Sequence, residues 1–289
     1  MCLNNPLIQV LKKYQERVEK ALRERIPDLG KPASAGGSVL RDACEYALLN
    51  GGKRFRPALV YMVADALGQK NDVSDAAIAI EYFHTASLIT DDLPCMDDDD
   101  ERRNKPSTHK VFGEATALLA GYALIAAGYG FVASAARVVK GDKGEIVIAA
   151  LSNAAENAGV LGVTGGQFLD INPPDLSLAT FREILHKKTV SLFEVSFVFG
   201  WLFGGGDPKM LPKVKQCASH FGMAFQIADD MDDVEQDEKN GRKINVVSIF
   251  GITAALRMLQ DEIDGYRQTL KELGIASPEL LVLADAIYI

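Results

Sequence analysis

The sequence contains little cysteine, and this scarcity limits the kinds of protein it can encode. Cysteine occurs at four of 289 positions, and no two cysteines form a C-x-x-C pair: Cys2, Cys44, Cys95 and Cys217. A disulfide framework and a paired-cysteine metal or redox motif are therefore excluded, and free thiols in a reducing compartment are expected. Residues 1–6 also lack the basic and then apolar pattern of a secretory signal, so we predict a cytoplasmic protein.

Basic charge is also scarce. The chain has 31 lysines and arginines against 39 aspartates and glutamates, which gives a net charge of −8. Nucleic-acid binding needs a basic patch, so we expect no nucleic-acid partner. Much of the acidic excess lies in two short segments, where bound cations would offset it.

Strand signals are missing as well. No segment alternates convincingly between apolar and polar residues and no fixed repeat is visible, whereas residues 7–22 are apolar at helical spacing. Several helical segments are apolar on more than one side, as in a bundle whose central helices are surrounded. We predict an all-α fold in one domain, residues 1–289.

Residues 115–136 carry no charge and are long enough to span a bilayer, but they are rich in Ala and Gly. We predict a buried central helix there and no transmembrane segment.

An acidic segment follows the apolar, helix-like residues 76–89. Residues 91–101 hold seven carboxylates, and Arg102 and Arg103 come next. Neighbouring like charges repel, so stability does not explain them. Magnesium binds through one or two carboxylates together with substrate phosphates, and a guanidinium group suits phosphate. The segment predicts a metal–diphosphate site, with a solvated acidic loop as the alternative.

A second acidic segment, residues 226–233 (QIADDMDD), also follows an apolar helical run. Asp229 and Asp233 are four residues apart and share one helix face. Two such helices packed together would face each other across a cavity. Residues 51–57 (GGKRFRP) form a basic loop between two predicted helices, close to a helix N-terminus that favours anions. This loop is interpreted as either a diphosphate clamp or a solvated basic turn.

These motifs together resemble those of the trans-isoprenyl diphosphate synthases. The match includes both aspartate-rich motifs, residues 51–57, residues 165–167 (GGQ) and residues 186–189 (HKKT), in family order from about residue 45 to 243. The resemblance implies a bundle of long α-helices around a central apolar cavity, usually a homodimer. It implies head-to-tail condensation of isopentenyl diphosphate with an allylic diphosphate, and Mg²⁺ as cofactor, with three ions. No dedicated protein base is evident, and in the family the leaving pyrophosphate is thought to take the proton.

The resemblance also implies roles for individual residues, with Lys188, Asp91 and Asp229 as the catalytic group. The metal ligands would be Asp91, Asp97 and Asp229, with Asp92 and Asp233 close by. The allylic diphosphate would be held by Arg102, Lys188, Thr189, Gln226 and Lys243. Isopentenyl diphosphate would be held by Lys53, Arg56, His84 and Arg103.

The expected product follows from the depth of the cavity. Bulky residues four and five positions before the first aspartate shorten the product in the family, and this chain has the small Ser87 and Ala86 there. Pro94 and Cys95 lengthen the first motif as in bacterial and plant short-chain enzymes. Together these features favour geranylgeranyl diphosphate, with farnesyl diphosphate second. We expect Ala86→Phe to shorten the product by one unit.

Several positions depart from the family pattern: Thr90, Asn104, Tyr122 and residues 245–247 (NVV). None of them removes a proposed metal or phosphate ligand, but they put turnover rate and lid closure in doubt. Two alternatives stay open. A non-catalytic partner subunit usually loses one acidic motif, whereas this chain keeps both. A terpene cyclase should lack the basic loop at residues 51–57, because it binds no second diphosphate.

Overall fold

The computed structural model describes residues 6–139, 143–175, 177–232, 234 and 245–287, and most of them are helical. The α-helices are α1 (Pro6–Arg25), α2 (Val39–Leu48), α3 (Phe55–Ala66), α4 (Ser74–Asp91), α5 (Thr108–Phe112), α6 (Glu114–Ala135), α7 (Lys143–Ala158), α8 (Val163–Ile171), α9 (Leu178–Leu185), α10 (Ser191–Gly204), α11 (Leu211–Asp232), α12 (Val246–Phe250), α13 (Ile252–Glu272) and α14 (Pro278–Ile287). Strands β1 (Glu101–Arg102) and β2 (Lys105–Pro106) form a small antiparallel hairpin. The predicted all-α fold is confirmed.

Helix α10 is the centre of the bundle. All of its residues are buried, and it packs against α3, α4, α7 and α11. Its sequence, SLFEVSFVFGWLFG, is apolar on every side because every side meets another helix. Phe193 meets the Phe221 ring of α11 edge to face, Phe197 packs on the same ring at a tilt, and Phe55 of α3 stacks on it. One contiguous apolar core runs from Tyr14 in α1 to Ala284 in α14.

Helix α6 is buried on one face only. Small residues such as Ala117, Gly121 and Gly128 are buried, whereas Leu119 and Tyr122 are 53% and 62% exposed. By length and composition alone, residues 114–138 and 143–171 are apolar enough to cross a membrane, and a third of the most apolar window of each is buried. The prediction of a buried central helix at residues 115–136 therefore holds for one face of α6, and the other face is uncovered in the single chain.

Two helices begin after side-chain caps that lie just before them. Thr180 and Glu183 have the spacing of a capping box, but Ser177 caps α9, and its Oγ accepts from the Thr180 backbone N at 3.2 Å. Thr180 lies inside the helix, where its hydroxyl donates to Asp175 at 2.6 Å. Helix α11 begins at Leu211 because the preceding 3₁₀ turn, Pro208–Met210, is separately capped by Asp207.

Candidate active site

The C-terminal half of α4 forms one wall of an apolar cavity of about 450 Å³. Phe83, Ala86, Ser87, Thr90 and Asp91 recur at intervals of three or four residues, so they share one helix face and all line this cavity. Asp91 lies at the end of α4, at one end of this lining face. The lining from the rest of the chain includes Cys95, Met96, Ile125, Ala158, Val163, Thr164, Gln167, Phe168, Ile171 and Asn172. The first acidic motif therefore begins at one end of an apolar cavity.

The Asp91 carboxyl group is buried at a position that disfavours its charged form. Burial is the largest cause, and together with the neighbouring carboxylates of Asp97 and Asp92 it raises the pKa of Asp91 from 3.8 to about 7, against Lys188 and Arg102, which lower it. A carboxylate in this position is stabilised by a cation. The backbone N of Asp97 donates to the Asp91 carbonyl at 2.9 Å, so the loop after α4 folds the two residues back together.

The Asp92 side chain holds Arg102. Asp92 is buried, and its Oδ1 accepts from the Arg102 Nε at 2.8 Å and also from Nη2. Arg102 also donates to Asp99 Oδ2 at 2.7 Å. Burial raises the pKa of Asp92, against the Arg102 guanidinium, which lowers it. Asp92 thus fixes a predicted phosphate ligand in place.

The predicted Lys188 lies on a π-helical turn, His186–Val190, between α9 and α10. Its Nζ donates to Asp170 of α8. Helix α8 passes directly over this turn: a Cβ at Gly166 would lie 2.4 Å from the Lys188 backbone N, so only glycine fits there. A π-turn inserts one residue and is frequently found at functional sites. Here it brings Lys188 within electrostatic reach of Asp91.

A hydrogen-bond chain joins this turn to the second acidic motif. Thr189 Oγ1 donates to Gln226 Oε1 at 2.8 Å, and Gln226 Nε2 donates to Asp230 Oδ1 at 2.8 Å. The other carboxylate oxygen of Asp230 accepts from the Val246 backbone N at 2.8 Å. Asn245 Nδ2 donates to the Asp230 carbonyl at 2.7 Å. Asp229, on the same helix, is exposed, and its charge raises the pKa of Arg56.

A second, positively charged cluster lies beside the first. Arg56 Nη1 donates to His84 Nε2 at 3.4 Å, and its guanidinium lies 4.5 Å from the centre of the Phe193 ring. Burial lowers the pKa of Arg56 to about 10, and burial together with Arg56 and Arg103 lowers the pKa of His84 well below 6.5. His84 is therefore neutral at physiological pH. Among the described residues, Arg56 Nε and His84 Nδ1 find no hydrogen-bond partner. These buried donors suit an anion.

Arg54 and Arg103 build the frame of this cluster. Arg54 is buried, with ion pairs to Glu19 at 2.7 Å and to Glu81 at 2.5 Å, so it is a structural residue. Arg103 donates to the Gly51 carbonyl, and its guanidinium occupies the space where a Cβ on Gly52 would lie. Gly52 has φ +112°, which also requires glycine. Lys53 is exposed at the edge of the cluster.

The donor set fits a hard divalent cation that also binds phosphate. No three His, Cys, Asp or Glu side chains in the described part of the chain form a closed metal site. Magnesium bound to a diphosphate needs only one or two carboxylates, and Asp91 with Asp97 provides them at a position short of positive charge. Two predicted site residues, Asp233 and Lys243, lie outside the described residues.

Several residues of this region escape prediction from sequence. Asp170 binds Lys188, Gln167 Nε2 reaches Asp97 Oδ1 at 3.4 Å, and Asn245 joins residue 230 to α12. For the first two a signal exists, because Asp170 is three residues after Gln167 and shares its helix face. No sequence signal relates Asn245 to Asp230, since this contact depends on where the chain returns after α11.

Comparison with known proteins assigns the chain to a family. The polyprenyl synthetase family model matches residues 37–247, and the chain belongs to this family. A heterodimeric geranylgeranyl pyrophosphate synthase large subunit from Arabidopsis thaliana is 38% identical over 234 residues, covering 78% of this chain and 59% of the relative. The chain thus spans about three fifths of the length of that relative. A geranylgeranyl diphosphate synthase from Cyanophora paradoxa is 31% identical, covering 98% of this chain and 96% of the relative.

Solved structures agree with the fold. The apo crystal structure of an FPP/GFPP synthase from Zymomonas mobilis superimposes with a TM-score of 0.84 at 29% identity, and the match covers 98% of this chain and 99% of that one. The bundle and the placement of its helices are therefore those of this family.

Proposed function

We propose that this chain is a prenyltransferase that joins isopentenyl diphosphate head to tail to an allylic diphosphate, with geranylgeranyl diphosphate as the product. The observation that carries the proposal is the arrangement of two charged clusters and one cavity. A carboxylate cluster at Asp91 suits a metal-bound diphosphate, and a separate cluster at Arg56 and His84 suits a second anion. The apolar cavity beside Asp91 accommodates a hydrocarbon tail.

The reaction breaks one C–O bond and forms one C–C bond. Negative charge builds on the departing pyrophosphate, where Lys188, Arg102 and Thr189 would donate to its oxygens. Bound Mg²⁺, which we propose as three ions held by Asp91, Asp97, Asp229 and the neighbouring Asp233, would neutralise the same charge.

Arg56, His84 and Arg103 would hold the isopentenyl diphosphate so that its double bond meets the allylic cation. The departing pyrophosphate takes the proton that is lost.

The contact between Lys188 and Asp170 supports the role of Lys188 in binding the departing pyrophosphate, because it shows that this ammonium takes an anionic partner. In the structure the Lys188 ammonium donates to Asp170, and its charge also lowers the pKa of Asp91. A diphosphate with its metal ions would replace Asp170 as the partner of Lys188, or share it. With substrate bound, the apolar lining of the cavity would keep water away from the cation, which water would otherwise quench.

We also propose a homodimer in the cytoplasm. The uncovered face of α6 presents Leu118, Leu119, Tyr122 and Ile125, each more than a third exposed, within a run of residues that carries no charge. Apolar faces of this kind mark association sites. Some relatives are named as subunits of heterodimers.

The proposed cytoplasmic location is supported by the cysteines. Cys44, Cys95 and Cys217 are free thiols, which suits a reducing compartment.

The test is a product assay on the purified protein. We would incubate it with Mg²⁺, labelled isopentenyl diphosphate and dimethylallyl, geranyl or farnesyl diphosphate, and measure product chain length. A twenty-carbon product supports the proposal in full. A fifteen-carbon product keeps the reaction but changes the product. No product from any primer, with a control enzyme active in the same assay, contradicts the proposal and favours a non-catalytic subunit.

A further inference from the structure

The cavity beside Asp91 extends beyond Ala86 and Ser87 to a phenylalanine. Phe83 is eight residues before Asp91, which places it about 12 Å along the axis of α4, roughly one turn beyond Ser87. It is a cavity-lining residue, and its own side chain is 4% exposed. Because Ala86 and Ser87 are small, the first bulky side chain that a growing tail would meet on this face of α4 is the Phe83 ring.

The position of this ring depends on a glycine of the facing helix. A Cβ built on Gly128 of α6 would lie 2.7 Å from Phe83 Cε1, 3.0 Å from Cδ1 and 3.1 Å from Cζ. The ring therefore occupies the space that any other residue at position 128 would fill. Tyr129 packs on the ring as well, with ring centres 5.0 Å apart. The ring also borders the open space of the cavity.

We infer that Phe83 is the floor of the cavity and that Gly128 sets its depth by giving the Phe83 ring room outside the path of the tail. A side chain at position 128 displaces the ring towards the cavity that it lines and shortens this cavity. A smaller residue at position 83 deepens it. Gly128 thus determines specificity through Phe83, without touching the diphosphates or their ligands. This inference rests on the proposed function, whose substrates it refines.

The experiment compares four proteins: wild type, Gly128→Ala, Phe83→Leu and the double variant. Gly130→Ala is the matched control, because it lies on the same helix and a Cβ there would meet nothing within 4 Å. Each protein is first checked for a cooperative thermal transition. Product chain length is then measured with dimethylallyl and farnesyl diphosphate as primers.

We expect Gly128→Ala to raise the ratio of fifteen-carbon to twenty-carbon product by about tenfold or more, since pockets discriminate by this factor over a single methylene. Phe83→Leu should shift products towards longer chains. In the double variant the shortening by Gly128→Ala should be lost or much reduced, because the ring that it displaces is gone. Gly130→Ala should keep the wild-type product ratio.

A folded Gly128→Ala with the product ratio of Gly130→Ala overturns the inference. If Gly128→Ala does not fold, Phe83→Leu decides alone: longer products support the floor and an unchanged ratio contradicts it. If the wild type condenses no substrate, the proposed function fails, and the floor is then tested by binding. Gly128→Ala should weaken binding of geranylgeranyl diphosphate relative to farnesyl diphosphate, and equal effects on both would overturn it.

Discussion

At the scale of single residues, the aspartates of the acidic motifs differ in what they do. Asp92 is buried and accepts hydrogen bonds from Arg102. Asp230 is buried and accepts hydrogen bonds from Gln226 and from the Val246 backbone N, so both carboxylates are bound to groups of the protein itself. Asp91 is different, because burial and neighbouring carboxylates work against its charge. The aspartates of these motifs therefore have two kinds of role: some bind and position protein groups, and Asp91 is a candidate metal ligand. Which role each aspartate has depends on the direction of its side chain, and the amino-acid composition of the motif does not determine that direction.

We predict that the metal-free protein loses stability as pH rises, through Asp91. Its pKa is about 7 in the folded chain and 3.8 in the unfolded one. Between these values the folded state binds more protons, so the free energy of unfolding falls as pH rises from about 4 to 7, by roughly 1–4 kcal/mol. Urea denaturation of EDTA-treated protein at pH 5.5 and 8 measures this.

Asp91→Asn is the control for this pH effect, because an amide does not titrate. The variant should lose most of the difference in unfolding free energy between pH 5.5 and 8. Adding Mg²⁺ with pyrophosphate to the wild type should restore stability at pH 8, since the metal binds the ionised carboxylate. An identical pH dependence in wild type and Asp91→Asn would contradict the prediction.

At the scale of elements, the site depends on two short irregular segments between regular helices. The π-helical turn at His186–Val190 places Lys188 and Thr189, and residues 245–246 tie α12 to the end of α11. Both segments lie against backbone: Gly166 against the turn, and the Asp230 carbonyl against Asn245. Small changes in either place would move several functional groups together.

We predict that Gly166→Ala displaces the π-turn. The new methyl group would lie 2.4 Å from Lys188 N and 2.7 Å from the Lys187 carbonyl carbon, both backbone atoms that cannot swing away. Overpacking of this kind costs about 1–3 kcal/mol of stability. Condensation activity should fall at least tenfold, and the loss should exceed that of an equally destabilised variant in the core away from the site. Wild-type turnover in a folded Gly166→Ala would contradict the role given to the turn.

We predict that Asn245 has two separable roles. Its Oδ1 caps α12 by accepting from Val247 N and Ser248 N, and its Nδ2 donates to the Asp230 carbonyl. Asn245→Ala should lower the unfolding free energy by about 1–3 kcal/mol, through loss of the cap and of a buried hydrogen bond. Asn245→Asp keeps the cap but cannot donate to Asp230.

The two Asn245 variants are compared by the Mg²⁺ concentration that gives half-maximal activity. If the bond to Asp230 positions the second acidic motif, both variants should require several-fold more Mg²⁺. If Asn245→Asp behaves like the wild type in stability and in Mg²⁺ requirement, the bond to Asp230 has no such role, and the residue acts as a helix cap alone.

At the scale of the whole molecule, the helical bundle and the approximate position of both acidic motifs follow from sequence, because helical periodicity is local. The continuous apolar surface of helix α10 matches its burial on every side, although the sequence pattern predicts the buried central helix at residues 115–136. What sequence leaves open depends on contacts between distant segments. The ring of Phe83 against Gly128, Lys188 against Asp170 and Asn245 against Asp230 all join different helices. The exposed face of α6 is another feature that the sequence leaves open. An uncharged helix has the same sequence pattern whether it packs against its own chain or against another one.

We predict that this face of α6 closes on a second copy of the chain. Leu119 and Tyr122 are 53% and 62% exposed, and a stable dimer needs about 800 Å² of buried surface on each partner. Leu119→Glu and Tyr122→Glu should therefore shift the protein from dimer to monomer, because an interface that buries them would bury an unpaired carboxylate. Sedimentation equilibrium across a range of concentrations measures the shift, and Thr253→Glu on α13, also exposed, is the control. A wild-type protein that is monomeric at all concentrations would contradict the prediction. So would Leu119→Glu and Tyr122→Glu variants that dimerise as tightly as Thr253→Glu, since they would place the interface on another face.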